Sequence, residues 1–513
     1  MDKVLLVNQD DKVIGSKSRQ ECHQGEGLLH RAFSIYILNN QGEILVQKRS
    51  KNKDLWPLMW TSSCCGHPRP GETYIQAGER RLKEELDFSV PLVKFDSFKY
   101  KAKYENKGSE NGICAVLFGK YSGEIKKNDE EVVEYKWVKP EDLLKDLKTN
   151  PESYVPWFGL GLKKFLKNLE AKKKQKKELY TSLEQIAQKV DTVIEEVLKI
   201  HTEKNFHPLV EHQIKTGGKR LRPVLVFFSG RLLGAKEKDL LYPSAGIEIL
   251  HNSSLIVDDI IDHSLVRRGK PTVWSKFGKS MAECIGLSYS SSAYLAANRS
   301  SHPREISEVY SKALKTVIDG EIYDILFEQR GREDESYVKK NRYKKVTLQS
   351  YYKMIGKKTA ELLKACCEIG GICAQADKKQ IEALKKYGYN LGMAFQIQDD
   401  ILDILGDEKK FGKKIGKDIE ERKLGNIMIF YALKELSSSQ ENKILNILKK
   451  KKVFDSDIKE AIRLIKDTDS FRKSFLLAEK FTQQAKQELQ KLPQNKWNKQ
   501  LQALADFTIE RSK

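Results

Sequence analysis

Two domains of different class are expected: a mixed α/β sandwich over residues 1–170 and an all-α bundle over residues 179–513, joined by a charged linker at 171–178. Three observations predict this. At 513 residues with 40% hydrophobic composition, the chain is long enough for more than one core. Before about Glu170, β-rich segments alternate with turn signals; from Leu179 to Arg511 the apolar residues recur at helical spacing. Between the two lies Ala171–Glu178, a lysine-rich stretch with no large apolar anchor.

In the first domain, VLLVNQDDKVIG, AFSIYILNNQGEILVQKR and ICAVLFGKYSGEI read as strands, and Tyr74–Leu86 reads as a helix. Chemistry-bearing residues gather in three places. His23 and His30 stand seven apart in ECHQGEGLLH, and Cys65 and His67 two apart in TSSCCGHP. GETYIQAGERRLKEEL places Glu84 and Glu85 near a helix end. Three neutral imidazoles with a carboxylate suit a divalent transition metal. A thiol beside such a ligand, in a turn bounded by Gly66 and Pro68, suits a reactive cysteine better than an inert buried one.

In the second domain, SSLIVDDIIDHS sets Asp258, Asp259 and Asp262 inside an apolar run, and FQIQDDILDIL repeats the pattern with Asp399, Asp400 and Asp403. At helical pitch, positions i and i+4 stack one turn apart. Leu255, Ile256, Val257, Ile260 and Ile261 surround the first set, so its helix is expected to be mostly buried. Six carboxylates facing one cavity repel, and Mg²⁺ with substrate phosphates relieves the conflict. Cations alternate with these acids: Lys219, Arg220 and Arg222 in TGGKRLRP, Arg267, Arg268 and Lys270 in RRGKPTVW, Lys358 and Thr359 in GKKTAELL, and Lys413, Lys417 and Lys423 in FGKKIGKDIEERK. Two anionic substrates, one held through metal and one by bare cations, need this layout.

The net charge of +21 fits a cationic lining for phosphorylated substrates. Lysine runs such as Lys449–Lys452 read as solvated surface, and no basic-aromatic alternation offers a base-stacking platform, so nucleic acid is excluded as the partner. Eight cysteines without disulfide-framework or zinc-ribbon spacing favour a reducing cytoplasm. The start of the chain lacks a signal-peptide pattern, and no apolar run approaches a membrane span.

The first domain resembles type I isopentenyl diphosphate isomerase, of the Nudix superfamily, through HRAFSIYIL, WPLMWTSSCCGHP, the helix Tyr74–Leu86 and PWFGLGL. The resemblance implies a Nudix-type mixed sheet and assigns His23, His30, His67 and Glu110 to Zn²⁺ or Mn²⁺. It assigns Glu85 to one Mg²⁺ on the diphosphate, and Arg49, Lys53 and Arg81 to the diphosphate oxygens. Trp157 would shield the carbocation, and Cys65 would carry a proton. The family has Glu-x-Glu where this chain reads Glu110-Asn111-Gly112, so the second carboxylate, a metal ligand and the alkene's proton donor, is missing. Loss of a positioned general acid costs about 10²–10⁴ in rate. Nudix hydrolysis is a rival, with Glu72, Arg80, Glu84 and Glu85 in register, but it wants a glutamate at Arg81 and a glycine at Asp87.

The second domain resembles the trans-isoprenyl diphosphate synthases across 179–513. By that resemblance Asp258, Asp259, Asp262, Asp399 and Asp403 bind up to three Mg²⁺ on an allylic diphosphate. Arg267, Lys358, Thr359 and Lys413 grip it, and Gln396 lines the chamber. Lys219, Arg222, His251 and Arg268 hold isopentenyl diphosphate. The family implies a homodimer through this domain. Ser253 and Ser254, one turn before the first acidic motif, leave the product tunnel open and predict C20 or longer.

Overall fold

The computed structural model describes residues 3–406 and 415–510. It divides into two compact units, Met1–Lys174 and Gln175–Lys513. The division falls inside the segment expected to be a linker, and that segment is helical, within a helix spanning Phe158–Lys199.

The first unit is built on a mixed sheet of β1 (Lys3–Val7), β2 (Val13–Ser18), β3 (His30–Leu38), β4 (Ile44–Arg49), β5 (Trp60–Thr61), β6 (Cys64–Gly66), β7 (Val93–Tyr104), β8 (Gly108–Lys120) and β9 (Val132–Val138). Its hub is β3, antiparallel to β1, β4 and β6 and parallel to β8. HRAFSIYIL is apolar almost throughout because both its faces are covered. Phe33, Ile35 and Ile37 share a core with Ala77 and Leu82 of the helix Tyr74–Leu86. Ala32, Tyr36 and Leu38 share one with Phe158, Leu162 and Phe165. The helix begins on a capping box, Thr73 with Gln76, and ends at Asp87 in the left-handed region. Its boundaries are those its periodicity predicts.

The second unit is helical among its described residues, apart from a two-stranded hairpin, Val266–Arg267 with Lys270–Pro271, which helical periodicity does not anticipate. Three long helices organise it: Glu237–Ile261, carrying the first acidic motif; Pro303–Phe327; and Lys378–Leu405, carrying the second. The first is buried over most of its length, but Val257, expected inside, is 43% exposed. It ends at Ile261, so Asp262 is its cap rather than a further helical turn. A fourth run, Leu348–Cys373, is broken by a π turn at Gly356–Ala360, closed by the Glu361 amide on the Gly356 carbonyl. Such turns carry one extra residue and aim side chains that a regular helix would turn away. Gly320 and Gly392 make room for it. A Cβ at Gly320 would stand 2.2 Å from the Lys358 amide nitrogen, and one at Gly392 would stand 2.4 Å from the Ala360 Cα.

No helix among the described residues is long and apolar enough to cross a membrane.

Candidate active sites of the two units

In the first unit the sheet brings the predicted ligands together. His30 opens β3, opposite Gly112 of β8, and Glu110 lies two residues back on the same face. His23 ends a short helix, Arg19–His23, and His67 follows β6. The ligand atoms of His23, His30, His67 and Glu110 all lie within 4.8 Å of one another. Glu110 meets His30 Nε2 at 3.1 Å, His23 Nε2 at 3.2 Å and His67 Nε2 at 3.7 Å. His30 Nδ1 donates to the Leu28 carbonyl at 2.7 Å, and its Nε2 faces Glu110; burial lowers His30, but its bonds to Glu110 outweigh that and raise it, so without a metal this ring favours the protonated form.

Burial pushes His23 down to about 4 and lowers His67 as well, which favours the neutral, ligating imidazole. Burial also raises Glu110, but bonds from His30 and His67 outweigh it and hold the carboxylate well below its usual range. His23 Nε2 is buried and makes no hydrogen bond despite its closeness to Glu110. An orphaned buried nitrogen among two further imidazoles and a carboxylate fits a divalent metal.

The Tyr100 ring lies over Gly112. Tyr100, Gly112 and His30 form one row across β7, β8 and β3. A Cβ at Gly112 would stand 2.9 Å from the Tyr100 ring, whose hydroxyl donates to Glu110 Oε2 at 3.1 Å. Tyr100 also meets Trp157, centroids 5.2 Å apart, and Trp157 meets Trp56 edge-on. Cys65 Sγ is ringed by hydroxyls, with Thr61 and Ser62 at 3.1 Å and Ser34 at 3.5 Å.

The expected diphosphate cations are partnered within the protein. Arg49 donates to the Trp56 and Leu55 carbonyls at 2.9 and 2.8 Å, while its guanidinium lies 6.0 Å from the Trp157 ring. Lys53 and Arg81 share Glu131, and Arg81 also pairs with Glu85, which accepts from Gln47 at 2.6 Å. Glu131, which no motif marks, joins these groups into one network. Two cations hold it down to about 2 against its burial.

In the second unit the two acidic motifs share one network. Asp258 is raised to about 7 by burial and then by Glu321. Asp259 places both oxygens on Arg267, at 2.9 and 3.0 Å from Nε, so it is bound to a cation here rather than held open as a ligand. Asp262 lies 3.5 Å from Lys423 Nζ. Asp403 accepts the Lys417 and Asp418 amides at 2.9 and 3.2 Å, at the start of the helix Lys417–Glu420. Asp400 turns inward to Tyr351, Gln396 and the Ile427 amide, so it is a structural acid. Asp399 is within electrostatic range of Arg222.

The π turn delivers Lys358 between Glu321 at 2.6 Å and Asp324 at 2.7 Å, and Thr359 to Gln396 at 2.7 Å. Lys413 lies outside the described residues. Nearby, burial and then the cations Arg222 and Arg268 hold His251 neutral. Arg222 Nε is buried without a hydrogen-bond partner, as an anion site requires. Arg268, at φ 54°, would meet a Cβ on Gly218 at 2.7 Å, so the glycine of the preceding loop admits its guanidinium. Arg220 is occupied with Asp191 and Glu248, whereas Lys219 is exposed beside Phe507.

A polyprenyl synthetase family model matches residues 203–465, half of the chain, and a NUDIX domain model matches residues 28–158. The chain belongs to the polyprenyl synthetase family. A short chain isoprenyl diphosphate synthase of Methanocaldococcus jannaschii is 37% identical over 56% of this chain and 84% of its own length. A geranylgeranyl pyrophosphate synthetase structure from Pyrococcus horikoshii superposes with a TM-score of 0.58 at 33% identity, over 65% of this chain and 99% of that one. The first unit belongs with the isopentenyl-diphosphate Delta-isomerases: that of Serratia proteamaculans is 41% identical over 31% of this chain and 88% of its own length. The protein is therefore a fusion of an isomerase-type NUDIX unit and a polyprenyl synthetase.

Around the acidic motifs stand further charged groups: Glu321 and Asp324 on Lys358, and Asp324, Asp418 and Glu421 around Lys423. Their signal lies in the helical spacing of Glu321, Asp324 and Glu328, which reads equally well as a solvated face.

One consequence concerns pH. The Asp258 value near 7 exceeds its unfolded value of about 3.9. Its stabilising contribution is therefore complete below the unfolded value and is lost as pH rises through 7. In chelator, Asp258→Asn is expected to gain in melting temperature over the wild type between pH 5 and 8, by roughly 4 °C. A difference that stays flat with pH would refute this.

Proposed function

We propose that the polyprenyl synthetase unit extends allylic diphosphates with isopentenyl diphosphate to products of C20 or longer. We propose too that the first unit isomerises isopentenyl to dimethylallyl diphosphate, the primer. The observation that carries the elongation reading is that Asp262 lies 3.5 Å from Lys423 and Asp258 within electrostatic range of Lys358, the two lysines being joined through Asp324 in one network.

Asp258, Asp262, Asp399 and Asp403, with Asp259 beside them, are the residues that would hold up to three Mg²⁺, which when bound supplies positive charge for the departing diphosphate. Lys358, Arg267 and Thr359 orient that diphosphate and donate to its oxygens as negative charge develops. Arg222, Arg268, Lys219 and neutral His251 hold the second diphosphate, and the isopentenyl double bond attacks the allylic cation before a proton is lost. Buried helices around the carboxylates exclude water from that cation. Product length rests on Ser253, whose hydroxyl bonds Ser290 at 2.7 Å and the Gly286 carbonyl at 2.9 Å, and on half-buried Ser254. Chromatography returning C15 alone would remove that part.

In the isomerase unit His23, His30, His67 and Glu110 would hold Zn²⁺ or Mn²⁺, and Glu85 would hold a Mg²⁺; the bound ions supply Lewis acidity beside the substrate. Cys65, within its ring of hydroxyls, moves the proton at one face of the alkene. The Trp157 ring shields the cationic carbon.

A second reading, an active synthase with an impaired isomerase unit, is favoured by Gly112, where Tyr100 occupies the space of the missing side chain. Labelled isopentenyl diphosphate supplied alone, with Mg²⁺ and Zn²⁺ or Mn²⁺, decides between them against a tube that also holds dimethylallyl diphosphate. Prenyl product in both tubes supports the bifunctional reading. Product only in the primed tube supports the second, and none in either refutes both.

We further propose a homodimer through exposed apolar side chains of the synthase unit, Met281, Leu287, Ile318 and Ile322, with Leu287 74% exposed. The proposed compartment is the cytoplasm, in keeping with eight free cysteines.

A further inference from the structure

The helix Pro303–Phe327 and its cap present Glu321, Asp324 and Glu328 at spacings of three and four, one stripe on one face. The middle member differs from the acids of the two motifs. Asp324 is 6% exposed, and its Oδ2 meets two ammonium groups at once, Lys358 Nζ at 2.7 Å and Lys423 Nζ at 3.0 Å. These lysines come from separate parts of the chain, one from the π turn and one just beyond the helix Lys417–Glu420. Because both contacts end on a single oxygen, the cations lie within two hydrogen-bond lengths of each other. Ammonium groups that close repel, and on flexible stems they would part without an anion between them.

The outer partners fix where the pair points. Lys358 also reaches Glu321 at 2.6 Å and acts electrostatically on Asp258. Lys423 also reaches Glu421 at 2.9 Å and Asp262 at 3.5 Å. The paired cations thus border the first acidic motif from two sides. Gly320, one residue before Glu321, lets the helix approach the π turn closely enough for Asp324 to reach Lys358.

We infer that Asp324 is a positioning residue of the diphosphate site, holding Lys358 and Lys423 as a preformed cationic clamp for oxygens of the allylic diphosphate. This rests on the prenyl-transfer reading above. Both side chains are ordered before the substrate arrives, so less freedom is lost on binding and the affinity gained is specific to the diphosphate they face. A purely structural role for Asp324 would move the melting temperature and leave diphosphate affinity unchanged.

The test compares the full chain with Asp324→Asn by calorimetric titration with magnesium pyrophosphate, and by steady-state kinetics in both substrates. Asp324→Asn is expected to weaken pyrophosphate binding about tenfold and to raise KM for dimethylallyl diphosphate in proportion. KM for isopentenyl diphosphate should stay within about twofold, since that substrate uses other cations. In a Lys358→Gln/Lys423→Gln background the same substitution should add no further loss, because nothing is left to hold. Unchanged pyrophosphate affinity, or an equal loss in both backgrounds, overturns the inference. Should Asp324→Asn fail to fold, Lys423→Gln takes its place: a comparable loss supports the clamp, and none overturns it. A wild-type protein that binds magnesium pyrophosphate yet transfers no prenyl group refutes the prenyl-transfer reading, while the calorimetry still judges the clamp.

Discussion

Replacing Lys358 with alanine is expected to lower kcat/KM for chain elongation by about 10²–10³-fold, the usual effect of removing one donor aimed at developing charge. The same change leaves Glu321 and Asp324, at 2.6 and 2.7 Å from the lost ammonium, without that partner. Breaking such a partly buried pair costs about 3 kcal/mol, so the variant should melt earlier as well as turn over slowly. Lys357, its neighbour, is the internal control. It pairs at 2.6 Å with Asp319, which is 56% exposed, and a pair so open to solvent is screened and contributes little. Lys357→Ala should leave both rate and melting temperature close to the wild type. Equal effects at the two positions would mean that the π turn does not aim Lys358 as described.

Gly320→Ala is the second large effect, and it acts without touching any charged group. The added methyl would meet backbone, the Lys358 amide nitrogen at 2.2 Å and its Cα at 2.6 Å, and backbone cannot rotate aside as a side-chain tip can. Either the helix or the π turn must move. Overpacking of this kind costs about 3 kcal/mol, and a shift near 1 Å at a catalytic group costs about 10²-fold in rate. Activity and thermal unfolding should therefore fall together. An alanine variant with wild-type turnover would show that the close approach is dispensable.

Much of this was legible in the sequence, because the motifs carry their own spacing. The helix Tyr74–Leu86 follows from its helical periodicity, and β3 from a β-rich segment set off by turn signals. The three histidines stand out by their spacing, whereas Glu110 as their partner is implied only by the family resemblance; the sheet register places the four ligand atoms within 4.8 Å of one another. What escaped has a common cause. Glu131, Glu321 and Asp324 are ordinary surface acids by pattern, and their partners lie 34 to 99 residues away for Asp324 alone. Gly320 and Gly392 look like tolerated helix glycines until the crossing of two backbones explains them. Composition marks the charged segment 171–178 as a linker but does not give its conformation; lysine and glutamine are good helix formers, and the segment lies within the helix Phe158–Lys199. Asp259 has the same sequence context as Asp258, and only the fold of the hairpin that follows turns Arg267 back upon it.

The π turn at Gly356–Ala360 also sets the rotational phase of everything after it. A turn with one residue more than its α-helical equivalent advances each later side chain by one position, roughly 100° about the axis. Removing a single residue there would restore the ordinary hydrogen-bond ladder and make a more regular helix. It would also swing the Glu361–Cys373 segment, and its buried Cys366, Cys367 and Ile369, out of register with the helices they pack against. The chain thus keeps a locally less favourable helix because the rest of the bundle is written in the shifted phase, and length changes at this point are constrained even where individual residues are free to vary.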